Sequence, residues 1–294
     1  MKISGFSFAR NITKLYYPLE ESIRSILPVC DEFIIAIGKG DDDDTTRAIV
    51  ERIKDQKIKI IDTTWDKPSY EKGTILSEQS NIALNACSGD WCFYIQADEV
   101  VHEKFHEPIY ARCKELVDDT AVEGLLFDYK HFWGDYEHYH ISHAWYPREI
   151  RIIRNRCGIQ SWGDAQSFRK AGEKINVAKV NAEIFHYGWV RPPEMMQIKK
   201  RYFVRFWGER DESENTRFDY GSLENVPRYT DTSPVVMKTW IAKMNWRGQL
   251  QYKGKSKIKN KHERFKYRFL TFIEQKLLGG RQFGGFKNYN LIQR

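Results

Sequence analysis

The sequence predicts an α/β fold with a mainly parallel central sheet flanked by helices. Three observations carry that prediction. Short apolar runs alternate with stretches of helical period through the first hundred residues. The connections between runs are long enough for the crossover helices that parallel neighbours require. One apolar run, residues 91–95, stops abruptly at Gln96-Ala97-Asp98-Glu99. Carboxylates at the carboxyl end of such a strand lie where open α/β sheets bind ligands.

Residues 2–8 alternate and read as the first strand, followed by a loop at Ala9-Arg10-Asn11. Residues 12–27 place Leu15, Leu19, Ile23, Ile26 and Leu27 at helical spacing, and Pro28 ends that helix. Residues 33–37 are a continuous apolar strand, which completes a βαβ unit. The loop that follows reads GKGDDDDTT. A glycine-rich loop before a helix can cradle phosphate, but four aspartates repel it. A calcium loop is a second reading, although the bridging Gly and final Glu of an EF-hand are missing. A third is helix capping by Asp43 or Asp44 at the start of residues 45–54. Residues 57–62 form a third strand, and the loop after it carries Lys72, a cation able to meet a diphosphate. A helix with Ala83, Leu84 and Cys87 on its apolar side ends at Gly89. In the strand after it, Asp98 and Glu99 point to opposite faces. One can face a ligand while the other braces the loop.

Residues 106–116 read as a helix, with Pro108 tolerated in its first turn. Residues 124–129 read as a strand. The stretch HFWGDYEHYHISHAWYP, residues 131–147, is rich in aromatics and histidines. Trp133, Tyr136, Tyr139 and Trp145 suit stacking on sugar faces. His131, His138, His140 and His143 raise the alternative of a metal site, though their loop spacing is a weak signal. Ligand recognition by ring stacking is the better functional reading. Residues 148–155 alternate as a strand, and Ser161-Trp162-Gly163-Asp164-Ala165-Gln166 follows. Residues 177–186 form another strand, which runs into His186-Tyr187-Gly188-Trp189-Val190-Arg191. Arg191 suits bidentate phosphate binding, and Lys199 or Lys200 on the next helix can reach a diphosphate. Residues 234–246 have a helical period. Residues 261–278 gather Phe265, Phe269, Phe272, Ile273 and Leu277 on one face among Lys and Arg. That pattern fits a membrane-surface helix and equally a helix docking its apolar side on the main body.

Composition bounds the function. A chain of 294 residues can bury a substantial core in one or two domains. Hydrophobic residues at 41% and charged residues at 30% describe an ordinary soluble globular protein. Five cysteines with no C-x-x-C pair indicate free thiols in a reducing compartment. Residues 1–9 are too short and too interrupted for a signal peptide, and no apolar run approaches a membrane span, so a cytoplasmic protein is expected. Residues 247–294 hold thirteen Lys/Arg against two Asp/Glu, a net +11, while the whole chain is +7. The front is therefore acidic and the basic character belongs to the tail.

The stretch SNIALNACSGDWCFYIQADEVV, residues 80–101, carries a resemblance. Asn81, Ala83, Leu84, Ala86, Gly89, Asp90, Trp91, Ala97, Asp98 and Glu99 fall on the pattern of family 2 glycosyltransferases. The GDDDDTT loop is similar to that family's D-x-G-S-x-D-x-T at Gly40, Asp43 and Thr45, with Gly38 in place of the leading Asp. The IFHYGWVR segment resembles the one that closes its core. The resemblance implies a GT-A fold over residues 1–205, followed by a basic, mostly helical C-terminal extension over 206–294. It implies an inverting transfer from a nucleotide-diphospho-sugar to a glycan or lipid-linked acceptor. Surface polysaccharide synthesis is the default setting. A divalent cation, Mn²⁺ or Mg²⁺, would be held by Asp98 and His186, with Gln96 standing where the family has its first Asp.

Donor contacts are expected from Ala9, Arg10, Asn11, Gly38, Asp41, Asp43, Asn81, Gln96, Ala97, Asp98 and Arg191. An inverting transfer needs a group to take the acceptor proton; Asp164 is the first candidate and Glu149 the second. Trp133, Tyr136, Trp145 and Trp162 are the acceptor-side aromatics. Peripheral attachment to the inner face of a membrane would use the basic C-terminal helix. Two other classes stand beside this reading. One is a non-catalytic GT-A-like domain that binds sugar nucleotide or glycan. The other is a nucleic-acid-binding protein, for which no recognised motif is present, so no nucleic-acid partner is expected.

Overall fold

The computed structural model describes residues 1–65, 73–204, 217–256, 258, 260–285 and 287–294. Lys72 lies outside them. In the first half, β1 (Ile3–Ala9), α1 (Leu19–Ile26), β2 (Glu32–Gly38), α2 (Thr46–Glu51), β3 (Ile58–Thr63), α3 (Thr74–Asn85) and β4 (Trp91–Tyr94) alternate. The middle holds β5 (Glu99–Val101), α4 (His106–Leu116), β6 (Gly124–Trp133), β7 (Tyr139–His140) and β8 (Arg148–Arg154). Then come β9 (Ile159–Trp162), β10 (Ser167–Lys170), β11 (Glu173–Lys174), β12 (Asn176–Trp189) and α5 (Pro193–Val204). The C-terminal part contributes α6 (Lys238–Ala242), α7 (Phe265–Lys276) and β13 (Asn290–Leu291).

The main sheet runs β13-β12-β6-β8-β4-β1-β2-β3, with β5 on β12 and β7 on β6. Neighbours from β4 to β3 are parallel, and so are β6 and β12; β8 is antiparallel to both β4 and β6. The architecture is the expected α/β arrangement, a mainly parallel sheet flanked by helices. Strands β1, β2 and β4 are buried on both faces almost throughout, which is why their sequences are nearly continuous apolar runs. The edge strand β3 alternates between exposed and half-buried residues instead.

The helix expected over residues 12–27 begins only at Leu19. Asn11 and Tyr16 have φ of 55° and 54°, and Pro18 precedes the helix, so the chain turns between them. That turn still delivers the periodic apolar residues to the interior, since Ile12 and Leu15 are buried. The strand expected at 124–129 extends to Trp133, because β12 continues to pair with it. A three-stranded antiparallel sheet, β9-β10-β11, forms in a stretch for which the sequence predicts no element. The C-terminal part returns to the body. Trp246 is fully buried, and its indole N–H donates to the Gly134 carbonyl at 2.8 Å. Strand β13 pairs parallel to β12. Among the described residues, no helix is long and apolar enough to cross a membrane.

Two registers build the site. His186 on β12 lies beside His131 on β6 and beside Glu99 on β5. The sheet therefore brings the end of the β4 segment and the end of β12 to one place, although 88 residues separate them.

Candidate active site

A cavity of about 540 Å³ opens where β1 and β4 end, between that rim of the sheet and α5. Asp98, Gln96 and Ala97 form one wall, His186, Trp189 and Lys199 another, and Asp164 and Gln166 a third. The neighbouring carboxylates have divided their roles. Glu99 is fully buried and takes a bidentate bond from Arg151, at 2.8 Å from Nε and 2.7 Å from Nη2. Its carboxylate also accepts from the Tyr129 hydroxyl at 2.8 Å and the Gln96 backbone N–H at 3.1 Å. Glu99 thus braces the loop, and Asp98 faces the cavity.

Asp98 sits among positive groups. Lys199 Nζ lies 3.3 Å from Asp98 Oδ2 and donates to the Gly188 carbonyl at 2.8 Å. Burial pushes the Asp98 carboxyl up, but Lys199, His186 and Arg191 outweigh it and hold the carboxyl well below the usual range. Burial, then repulsion from Arg191, brings the Lys199 ammonium down to about 7, against the pull of Asp98.

A chain of hydrogen bonds assigns the histidine tautomers. His131 Nε2 donates to the Tyr146 carbonyl at 2.8 Å, and His131 Nδ1 meets His186 Nδ1 at 2.9 Å. Burial, then His186, keeps His131 well below its ordinary value, so it stays neutral. Its Nδ1 must accept, and His186 Nδ1 must donate. With Nδ1 the donor to His131, Nε2 is the His186 nitrogen left to face Asp98 Oδ2, at 3.7 Å. Gly188 leaves the space beside them open: a Cβ there would come within 2.4 Å of His186 Nε2 and 2.7 Å of Asp98 Oδ2. A hard oxygen and an imidazole nitrogen facing one another over an open cradle fit a divalent cation such as Mn²⁺. Among the described residues no third His, Cys, Asp or Glu joins them, so ligand oxygens would complete the coordination. Gly188→Ala is expected to keep the fold and lower Mn²⁺ affinity at least about tenfold. Titration calorimetry on the two proteins checks it, and equal affinities would refute the cradle.

The other expected donor residues are distributed as follows. Ala9 and Arg10 line the cavity, and the Arg10 guanidinium lies 5.3 Å from the Trp65 ring centroid. Asn11 is buried; its Oδ1 accepts from the Asp41 N–H at 2.9 Å, tying the first loop to the aspartate loop. Asp41 pairs with Lys14 at 2.5 Å. Asp43 is exposed; the N-cap of α2 is Thr45, and Asp44, one residue before it, accepts from the Thr46 N–H at 3.0 Å. Gly38 ends β2 against Trp65, where a Cβ would overlap the indole. Gly38 and Asp41 line a separate, shallower groove. Asn81 faces away from the cavity and clamps Ser161 on β9, accepting at 2.7 Å and donating at 3.2 Å. The Gln96 side chain donates to the Ala165 carbonyl at 3.1 Å. The neutral residue at that position thus ties the Asp98 loop to the Asp164 loop. Arg191 is buried behind the cavity, donating to Leu15 and Gly188 carbonyls at 2.5 and 3.0 Å.

Of the two candidate bases, Asp164 lines the cavity. Burial pushes its carboxyl above the ordinary carboxylate range, against backbone hydrogen bonds and Arg151. Glu149 is buried under Gln166, Ser167 and Asn288, which donate to it at 3.0, 2.9 and 2.9 Å. Trp133 and Tyr136 belong to the interior; the Trp133 indole donates to the Tyr220 carbonyl at 3.0 Å. Trp145 is half-buried against His140, and Trp162 is 52% exposed with Arg169 over its ring. The four histidines of the aromatic stretch diverge: His131 goes to His186, His138 to Asp135, His143 to Glu274, and His140 stacks on Trp145. Sequence reasoning missed Trp189 and Tyr17, both on the cavity wall. Trp189 was within reach, three residues past His186 in a segment already singled out. Tyr17 carried no signal.

No family model matches the chain, and no curated protein does. Solved structures give weak likenesses. TarS of S. aureus is 15% identical over 69% of this chain and 39% of that one, with a TM-score of 0.39. The mannosyltransferase PcManGT from Pyrobaculum calidifontis, in complex with GDP-Man and Mn²⁺, is 17% identical over 42% of this chain and 34% of that one, at 0.32. Glucosyl-3-phosphoglycerate synthase from Mycobacterium tuberculosis, with Mn²⁺, UDP and phosphoglyceric acid, is 21% identical over 44% and 43%, at 0.30. This chain spans less than half the length of each of these three proteins. At such scores the likenesses add nothing to the sheet order described above, and the site stands on its own residues.

Proposed function

We propose that the chain is an inverting glycosyltransferase. It would move a sugar from a nucleotide-diphospho-sugar to a hydroxyl of a glycan or lipid-linked acceptor, in surface polysaccharide synthesis. The observation that carries this reading is the opposed pair of Asp98 Oδ2 and His186 Nε2 over Gly188, in a cavity whose far wall holds Asp164. Asp98 and His186 would hold a divalent cation, which neutralises a departing diphosphate. Lys199 and Lys200, also on the cavity wall, add positive charge for the same anion. Asp164 takes the proton from the acceptor hydroxyl. That oxygen attacks the anomeric carbon from the face opposite the breaking bond to phosphate, so the configuration inverts. Trp189 and Tyr146 offer apolar ring surface on the wall of the same cavity for an acceptor sugar. The free cysteines, four of five buried, support a reducing, cytoplasmic setting.

The test is a donor panel with Mn²⁺, scored for transfer or hydrolysis. Turnover with none of the sugar nucleotides would overturn the reading and leave a binding domain. Asp164→Asn is expected to lower turnover roughly 10³-fold with donor affinity retained. The pH profile follows from the sign. Asp164 acts deprotonated, so activity rises with pH through a value above the ordinary carboxylate range, and the Asn variant lacks that limb.

A further inference from the structure

Helix α7 is built the wrong way round for a helix that docks by its apolar side. Phe265, Phe269 and Phe272 recur at i, i+4 and i+7 and so share one face. That face points to solvent: Phe265 is 82%, Phe269 52% and Phe272 59% exposed, and the first two rings stack with centroids 6.1 Å apart. The opposite face holds the helix to the body through polar groups. Glu274 is buried, accepting from His143 Nδ1 at 2.6 Å and the Phe283 N–H at 2.8 Å. Thr271 Oγ1 accepts from the His143 N–H at 3.0 Å. Just past the helix, Leu277 and Phe283 are also 71% and 70% exposed.

Charge selects what covers this surface. Residues 264–294 contain seven Lys/Arg and one acid, and that acid is the buried Glu274. Arg264, Lys266, Arg268, Lys276 and Arg281 are exposed around the phenylalanines. A second copy would set these cations against its own. Large apolar side chains that protrude from a cationic helix suit a surface with negative headgroups over an acyl interior. We propose that α7 and the segment after it seat the protein on an anionic lipid bilayer. Phe265, Phe269 and Phe272 enter the acyl boundary, and the flanking Lys and Arg meet the headgroups. Each such cation strengthens binding about fivefold at an anionic surface.

Flotation of the full chain with vesicles of phosphatidylcholine, with and without added phosphatidylglycerol, tests this. Binding to the mixed vesicles is expected to be at least tenfold tighter than to phosphatidylcholine alone, and to fall steeply with salt. Phe265→Ser/Phe269→Ser/Phe272→Ser should lower it at least tenfold, and Lys266→Glu/Arg268→Glu should do the same. All five positions are exposed, so thermal melts should match the parent, and sugar-nucleotide binding should be unchanged. Failure to float, or unchanged flotation of both variants, would overturn the proposal. A dimer in light scattering that the serine variant abolishes would assign the face to a second copy instead. RNA binding that survives the serine changes and displaces vesicles would assign it to nucleic acid. None of these outcomes bears on the transferase reading, which the donor panel decides.

Discussion

Asp98→Ala is expected to abolish sugar transfer, by about 10⁴-fold or more, and to leave a folded protein. That loss corresponds to roughly 5 kcal/mol of transition-state stabilisation, at about 1.4 kcal/mol per decade. The size follows from what the carboxylate faces. Its Oδ2 is 3.7 Å from His186 Nε2 and 3.3 Å from Lys199 Nζ, on the wall of the cavity. Removing it leaves His186 as the lone protein donor for a cation and takes the counter-charge from Lys199. The fold should survive because the loop is braced by Glu99, not Asp98, and because the bond from the Tyr187 N–H goes to the Asp98 backbone carbonyl at 2.7 Å. Acid titration supplies a second signature. The folded Asp98 carboxyl lies well below its unfolded value of about 3.9 because Lys199, His186 and Arg191 outweigh burial. Its stabilisation is therefore complete above about pH 4 and is lost as pH falls below that. The Ala variant should show a shallower decline in stability over that acid range. Product formation from a turned-over donor, with circular dichroism of both proteins, decides the case. A variant with more than a tenth of parental activity would remove Asp98 from the chemistry.

Much of this site was legible because its signals are local. The apolar run ending in Gln96-Ala97-Asp98-Glu99 marks a buried strand entering a polar rim; the strand stops at Tyr94, and a turn closed by the Glu99 N–H on the Gln96 carbonyl at 3.0 Å, not extended chain, is what parts the two carboxylates. One carboxylate at the cavity and one bracing the loop is the division the structure shows. What was not legible depends on registers between distant strands. Nothing near His131 says that it will lie beside His186, since that follows from β6 and β12 pairing in parallel across 55 residues. Asn81 lies in the most informative motif, yet it clamps β9, because α3 packs on that small sheet. The histidine-rich stretch misled for a related reason. Only His131 belongs to β6; His140 lies on β7 and His138 and His143 lie outside both strands, so the four histidines meet different partners. On α7 the period was plain, but periodicity does not say which face docks, and Glu274 with Thr271 reverses the usual choice.

Arg151→Leu is expected to destabilise the protein by about 3–5 kcal/mol, the usual cost of stranding one member of a buried ion pair. At roughly 2–4 °C per kcal/mol for a chain of this size, the melting temperature should fall on the order of 10 °C. Both side chains are fully buried, so water cannot take over from the lost partner. Glu99 would keep the Tyr129 hydroxyl and the Gln96 N–H but no cation. Arg151 also lies over the rings of Tyr94 and Tyr129, at 5.2 and 5.3 Å, and these contacts would go too. Glu99→Leu/Arg151→Leu should recover part of the loss, since an apolar pair has no charge to strand, with a coupling of about 1–3 kcal/mol in the double-mutant cycle. A single-variant cost under 1 kcal/mol in urea unfolding would contradict the assignment. If stability were all this pair supplied, the double variant would work as an enzyme. It should not, because the pair holds two loops at once. Glu99 fixes the Gln96 backbone next to Asp98, and Arg151 Nη1 donates to the Gln166 carbonyl at 2.9 Å, two residues past Asp164. Proposed metal ligand and proposed base are registered to one another through this ion pair, beside the bond from the Gln96 side chain to the Ala165 carbonyl. The double variant should therefore regain its melting temperature further than it regains turnover, a split that a purely structural role would not produce.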